Sequence, residues 1–254
     1  MPGGLVTALR TLTLLPVPGK DAGRFSSSLY WFPIVGLMIG AFQALLAWAG
    51  TQVGWVELAA LLALACGVLL SGGLHADGLA DLADGFFGGR NREAALRIMK
   101  DPNVGSFGAI ALIVVSLSKW VFLLELVRHG AFGMIAAGVM LARMAQVLLA
   151  ARLPYARAEG GTATAFVEGA GTTHLLIALL SSLLLLMPLV NYDPLKALLL
   201  TLSAIVSASA TGLLSWRKIG GVTGDVLGTC SELTELLVWL TAALICKYPF
   251  SGVV

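Results

Sequence analysis

Apolar residues run along this chain in stretches of about twenty, separated by polar connections of very unequal length. A stretch of that size crosses the hydrocarbon core of a bilayer as a helix. Seven stretches qualify: residues 29–50, 55–73, 107–127, 130–151, 174–192, 194–215 and 233–250. The pattern predicts an all-α, polytopic membrane helical bundle of about seven transmembrane helices, one domain over residues 1–254. Asn191-Tyr192-Asp193-Pro194 has turn composition and suits a tight hairpin between two spans. Residues 1–24 carry Arg10 and a short apolar stretch ending in Leu15-Pro16-Val17-Pro18. They lack the long apolar core and small-residue cleavage site of a signal peptide, and an amphipathic interfacial helix fits them better.

The connections add an orientation. Residues 74–106, 152–173 and 216–232 are long, and with seven spans all three fall on one side together with the N-terminus. That side holds Arg10, Lys20, Arg24, Arg90, Arg92, Arg97, Lys100, Arg152, Arg157, Arg217 and Lys218; the other holds Arg128, Lys196 and Lys247. The positive-inside rule then predicts the bacterial cytoplasmic (inner) membrane, with the three long loops in the cytoplasm and the C-terminus outside. Composition agrees: 58% of residues are hydrophobic and 12% charged, against roughly 25% charged in soluble domains. A net charge of +2 argues against nucleic acid as a partner. Cys66, Cys230 and Cys246 lack CxxC spacing, so they predict neither a disulfide framework nor a zinc site.

One polar run stands out beside these apolar stretches: Gly73-Leu74-His75-Ala76-Asp77-Gly78-Leu79-Ala80-Asp81-Leu82-Ala83-Asp84-Gly85. Spacings of four and three place Asp77, Asp81 and Asp84 within about 60° of one helical face. Three like charges on one face repel, and near a membrane they are expensive to desolvate. A divalent cation relieves both, and oxygen ligands without His or Cys favour Mg²⁺ or Mn²⁺, usually together with substrate phosphates. The expectation is a metal-dependent phosphate site at a membrane surface. His75 lies near 200° round from that face, where polar packing or catalysis would place it.

Further charges surround this run. Arg90, Arg97 and Lys100 recur at helical spacing before Asp101-Pro102, and suit either phosphate oxygens or positive-inside anchoring. In the third long connection, Asp225 and Glu232 are seven apart, with Glu235 one turn on. They offer a second acidic face for a metal pair, or ordinary complementation of a helix N-terminus starting near Thr223. Lys119 and Arg143 fall inside predicted spans, where a charge costs at least about 2.5 kcal/mol. Lys119 is expected to pair with Glu125 or a cluster carboxylate, and Arg143 to pair inside or reach toward phosphate.

With these residues in view, the chain resembles the cobalamin synthase family, the adenosylcobinamide-GDP ribazoletransferases, nearly end to end. Besides the aspartate run, the matching segments include Leu14-Leu15-Pro16-Val17-Pro18, Phe32-Pro33-Ile34-Val35-Gly36 and Arg97-Ile98-Met99-Lys100-Asp101. Arg152-Leu153-Pro154-Tyr155-Ala156-Arg157, Gly220-Gly221-Val222-Thr223-Gly224-Asp225-Val226-Leu227-Gly228 and Glu232 also fit. Ala76 stands where the family often has a larger or acidic residue. The resemblance implies an enzyme that joins adenosylcobinamide-GDP to α-ribazole or its 5′-phosphate, releasing GMP, with Mg²⁺ required. Under it, Asp77, Asp81, Asp84, Asp225 and Glu232 are metal candidates, and Asp84, Arg97, Lys100 and His75 catalytic ones. Lys119, Arg143, Arg157, Lys218 and Asp101 are candidates for holding substrate. It also admits a homo-oligomer and contacts with other cobalamin-assembly enzymes.

Two other readings fit less well. A CDP-alcohol phosphotransferase has Ala-Arg after its Asp-Gly, whereas here Ala80 is followed by Asp81 and Asp84 arrives too early. An ion-coupled transporter would concentrate charge at the midplane, whereas here it lies in the long connections, and no inverted repeat is evident.

Overall fold

A computed structural model describes residues 2–248. Eleven α-helices follow in order: α1 Gly3–Leu12, α2 Phe32–Thr51, α3 Val56–Leu70, α4 Leu74–Gly88, α5 Arg92–Ile98, α6 Ser106–Arg128, α7 Phe132–Arg152, α8 Thr164–Val167, α9 Thr172–Leu189, α10 Pro194–Ile219 and α11 Gly224–Lys247. A 3-10 turn, Phe25–Trp31, leads into α2. The expected all-α bundle is borne out. Six helices are individually long and apolar enough to cross a membrane, and α3 with α4 passes only as a bent pair.

Contacts fix which ends lie together. Leu14 N–H donates to Leu70 O, and Ala156 N–H to Val222 O, so the N-terminal segment and the connections meet at one end. At the other end Arg128 of α6 lies 3.6 Å from Glu57 at the head of α3. Seven helices (α2, α3, α6, α7, α9, α10 and α11) thus run between the two ends. Buried on nearly every face, α7 is the centre post. Asp193 caps α10 beyond a hairpin whose Asn191 and Tyr192 take left-handed φ of 55° and 59°, in keeping with the turn read there.

Three features depart from the sequence pattern. The predicted span 55–73 is one short helix plus a corner. Gly72 and Gly73 take φ of +63° and +72°, a region that glycine enters without the Cβ penalty, and α4 leaves α3 at 85°. Because α3 runs along the bundle, α4 runs across its end and lies outside the spans. Secondly, residues 216–232 are not a loop. α10 continues to Ile219, Gly220 ends it at φ +77°, and the Thr223 hydroxyl accepts from Val226 N–H to start α11 at once. The last span therefore begins nine residues before position 233, and position 249 onward lies outside the described residues. Thirdly, the apolar face of α1 is turned onto the protein: Val6, Leu9 and Leu12 are buried, while Arg10 pairs with Asp21 at 2.8 Å. Its amphipathic pattern records docking on the bundle.

Candidate active site

The corner at Gly72-Gly73 aims α4 along the head of α11. Gly78 makes the close approach possible: a Cβ there would come within 3.0 Å of the Asp225 backbone. Thr229 fixes the pair by donating to both Gly78 O and Asp225 O, at 2.9 and 2.8 Å. Asp225 is thereby brought beside Asp77 and Asp81 from nearly 150 residues away, as the acidic pairing of the two segments anticipates. One Asp225 carboxylate oxygen accepts from Arg157 at 3.0 Å and from Thr223 at 3.1 Å. Arg157 Nε is buried without a partner, so this guanidinium has a donor to spare.

Negative charge is in excess here. Asp81 is half-buried, and its pKa is pushed up to about 7, first by burial and then by Asp77, Asp225 and Asp84, with Arg157 opposing. Among the described residues no three His, Cys, Asp or Glu side chains are already gathered tightly enough to hold an ion. The donor set of Asp77, Asp81 and Asp225 is nonetheless all-oxygen and under-neutralised, which fits a hard divalent cation.

Asp84 has another task. Its two carboxylate oxygens accept the N–H groups of Gly105 and Gly108 at 2.7 and 2.9 Å, so it caps α6 from outside that helix. It shares an angular face with Asp77, yet seven residues of rise set it about 10 Å further along. Both of its oxygens are engaged at the head of α6, with one hydrogen bond each. Glu232 is removed from the acidic group for the same reason, being two turns along α11 from Asp225. It accepts from Lys119 at 2.7 Å, and Lys119 also reaches Glu235 at 2.6 Å. Arg143 donates to Glu235 at 2.9 Å and to the Ser231 hydroxyl. Lys119 and Arg143 thus join an interior network in which Arg143 Nε alone of their charged groups' donors is buried without a partner; neither pairs with Glu125.

The remaining candidates spread around the rim. Lys100 pairs with Glu159, both exposed, and Arg97 on α5 is exposed. Lys218 donates to Gly89 O at 2.9 Å, which ties α10 to the end of α4. Asp101 closes a local turn through Asn103 and faces solvent. His75 is buried against α11, with its ring between the interior network and the acidic rim. Two residues outside the sequence candidates matter. Arg92 donates to Ile219 O and Ala156 O and so clamps two connections together; nothing in its surroundings along the chain signals this. Gln146 is a buried amide in the apolar α7, and a lone amide in a span is a visible signal.

Residues 4–243 match the family described as cobalamin-5-phosphate synthase. A Chlorobaculum parvum protein named adenosylcobinamide-GDP ribazoletransferase is 66% identical over 253 residues, covering 100% of both chains. One of the same name from Chlorobaculum tepidum is 67% identical over 250 residues, 98% of each chain. At greater distance, the protein of that name from Syntrophobacter fumaroxidans is 38% identical over 251 residues, 95% of this chain and 98% of its own. No solved structure matches the chain. An acidic group assembled from the aspartate run and the Gly220–Gly228 segment, inside a match of this length, leaves one assignment: the chain belongs to the cobalamin-5-phosphate synthase family.

Proposed function

We propose that this membrane protein is an adenosylcobinamide-GDP ribazoletransferase. It transfers adenosylcobinamide phosphate from its GDP-activated form to a hydroxyl of α-ribazole, or of its 5′-phosphate, giving adenosylcobalamin, or its 5′-phosphate, and GMP. The observation that carries this reading is the meeting of Asp77, Asp81, Asp225 and Arg157 at one end of the bundle.

In the step, the acceptor oxygen bonds to the phosphorus on the cobinamide side of the pyrophosphate. The bond from that phosphorus to the bridging oxygen breaks, GMP leaves with the electron pair, and the acceptor proton passes to solvent. Such chemistry is mostly positioning and charge neutralisation. Mg²⁺, held by Asp77, Asp81 and Asp225, supplies neutralisation of the diphosphate oxygens when bound. Arg157, already oriented by Asp225, offers its free Nε–H to a non-bridging oxygen. Arg97 on α5 and Lys100 just after it add positive charge at the rim. The excess of Lys and Arg at this end supports a site facing the cytoplasm.

Purified protein incubated with adenosylcobinamide-GDP, α-ribazole and Mg²⁺ is expected to release GMP and form the joined product. No GMP under these conditions, or release that ignores chelation of Mg²⁺, would sink the respective half of the reading. Orientation is tested by placing a cysteine at Asn91: labelling by an impermeant reagent from outside intact cells overturns it.

A further inference from the structure

A cavity of about 390 Å³ opens beside the carboxylates, enclosed by α1, the 3-10 turn, α4, α7, α8 and the head of α11. One edge is acidic, formed by Asp77 and Asp225. The opposite wall is aromatic. The Phe166 ring sits 5.5 Å from that of Phe25, edge to face at 85°, and 6.2 Å from that of Phe32, tilted by 52°. No Lys or Arg lines the cavity. Gln146 completes it from α7 and is only 4% exposed. Its Nε2 donates to Leu227 O at 3.1 Å, but its Oε1 is buried with no partner. Burying an acceptor unsatisfied costs about 1–3 kcal/mol, so this oxygen points to a ligand that brings a donor.

Size and chemistry then choose among the reactants. Ligand pockets run from about 300 to 1,000 Å³, and this one is near the lower bound. It has room for a bicyclic aromatic base with its sugar and is far too small for a corrin ring with its side chains. A diphosphate would find no cation inside. Aromatic rings at such edge-to-face and tilted geometries favour a further flat ring among them.

We propose that this cavity binds the acceptor nucleoside: its benzimidazole-type base lies among Phe25, Phe32 and Phe166, and Gln146 Oε1 accepts a hydrogen bond from a ribose hydroxyl. The acceptor's other end then meets the acidic edge, where the donor phosphate is held. This assignment rests on the transfer reading above. It makes Gln146 a specificity-determining residue, since a nucleobase without a hydroxylated sugar leaves its oxygen unmet.

The test combines equilibrium binding of α-ribazole to the full-length protein in detergent, without donor, with KM values for both substrates. GMP release by the wild type examines the transfer reading alone; the variants examine the cavity. Gln146→Leu removes the acceptor, and Ala163→Leu fills the cavity from α8's side. Thr162→Trp narrows the mouth at an exposed position, with little risk to folding. Each is expected to raise the Kd and KM for α-ribazole about tenfold, or about 1.4 kcal/mol, while the donor KM stays within about twofold. An unchanged ribazole Kd in Ala163→Leu and Thr162→Trp overturns the proposal. So does a rise confined to the donor KM, or a co-purifying lipid in the cavity that ribazole does not displace. If the wild type binds ribazole and the variants lose it, but no GMP forms, the cavity assignment stands and the transfer reading falls.

Discussion

Two charged regions of this bundle follow opposite plans. In the interior, Lys119 and Arg143 meet Glu232 and Glu235, two cations against two carboxylates, at 2.6 to 2.9 Å. At the site end, Asp77, Asp81 and Asp225 lie near one another with one guanidinium, that of Arg157, paired to Asp225. In the inner set each carboxylate faces a cation, and Arg143 keeps one buried donor, its Nε, without a partner. The outer set is left acidic, and burial together with its neighbouring carboxylates pushes the pKa of Asp81 up to about 7. A charge in an apolar chain is therefore not a sign of chemistry by itself. What separates the two regions is whether opposite charge within the fold balances the group.

The contrast can be broken most forcefully from the inside. Glu235→Ala leaves Arg143 buried without a carboxylate and Lys119 with Glu232 alone, and removing one partner of such a set costs about 3–5 kcal/mol. The variant is expected to lose monodisperse folded protein in detergent, read by size exclusion and by the unfolding midpoint. Full retention of both would show that Glu235 does not hold this set together.

At the acidic end the same kind of deletion should act on turnover instead. Asp77→Asn and Asp225→Asn are expected to lower kcat by about 10²–10³, in the range seen when one electrostatic partner of a transition state is removed. The Asp77→Asn midpoint should hold or rise, because a repelling charge is gone, whereas Asp225→Asn also gives up the ion pair with Arg157 and should fall slightly. A midpoint that falls as it does in Glu235→Ala would erase the distinction.

Asp84→Ala sits between the two cases. Loss of the cap on α6 is expected to cost about 1–2 kcal/mol of stability. Asp84→Asn, which keeps one acceptor, should retain more turnover than Asp77→Asn in a side-by-side assay. Equal loss in the two would return Asp84 to the acidic group.

The smallest effect is a pH signature of the unbalanced end. The folded pKa of Asp81, about 7, lies above its ordinary 3.8. Its protonated form is therefore favoured in the fold, a contribution complete below about pH 4 and lost as pH rises through 7. Mg²⁺ should replace that loss. Its addition is expected to raise the unfolding midpoint by a few degrees at pH 8 and less at pH 6, where protons compete. Asp81→Asn should flatten the difference, which differential scanning fluorimetry can follow.

Much of this was legible along the chain because lipid imposes a simple length rule. Spans near 107–127, 130–151, 174–192 and 194–215 fall on α6, α7, α9 and α10. The meeting of the aspartate run with Asp225 was legible from charge type. Angular position alone hides the axial separation of Asp84 from Asp77 and of Glu232 from Asp225, and it is blind to the α6 cap and the Lys119 pair that engage these two carboxylates. The corner after α3 is hidden because Gly72-Gly73 closes an apolar stretch, 55–73, long enough to read as one straight span. The polar run 216–232 reads as a loop, while Gly220 and Thr223 end one helix and start the next within four residues. The aromatic cavity wall draws Phe25, Phe32 and Phe166 from distant segments, and no spacing rule reports such a convergence.

The shortness of α3 carries a consequence for the surroundings of the protein. Fifteen residues rise about 22 Å, against a hydrocarbon thickness of about 30 Å. Leu61 and Leu69 of α3 face outward, so lipid meets this short helix along part of its length. Matching it means a thinner bilayer on that flank or helix ends drawn in among the acyl chains, each at a fraction of a kcal/mol per Å. The corner that aims α4 sits at the end of this same helix. Membrane thickness thereby becomes a variable acting on the acidic site: shorter acyl chains relieve α3 and the corner, and longer ones load them.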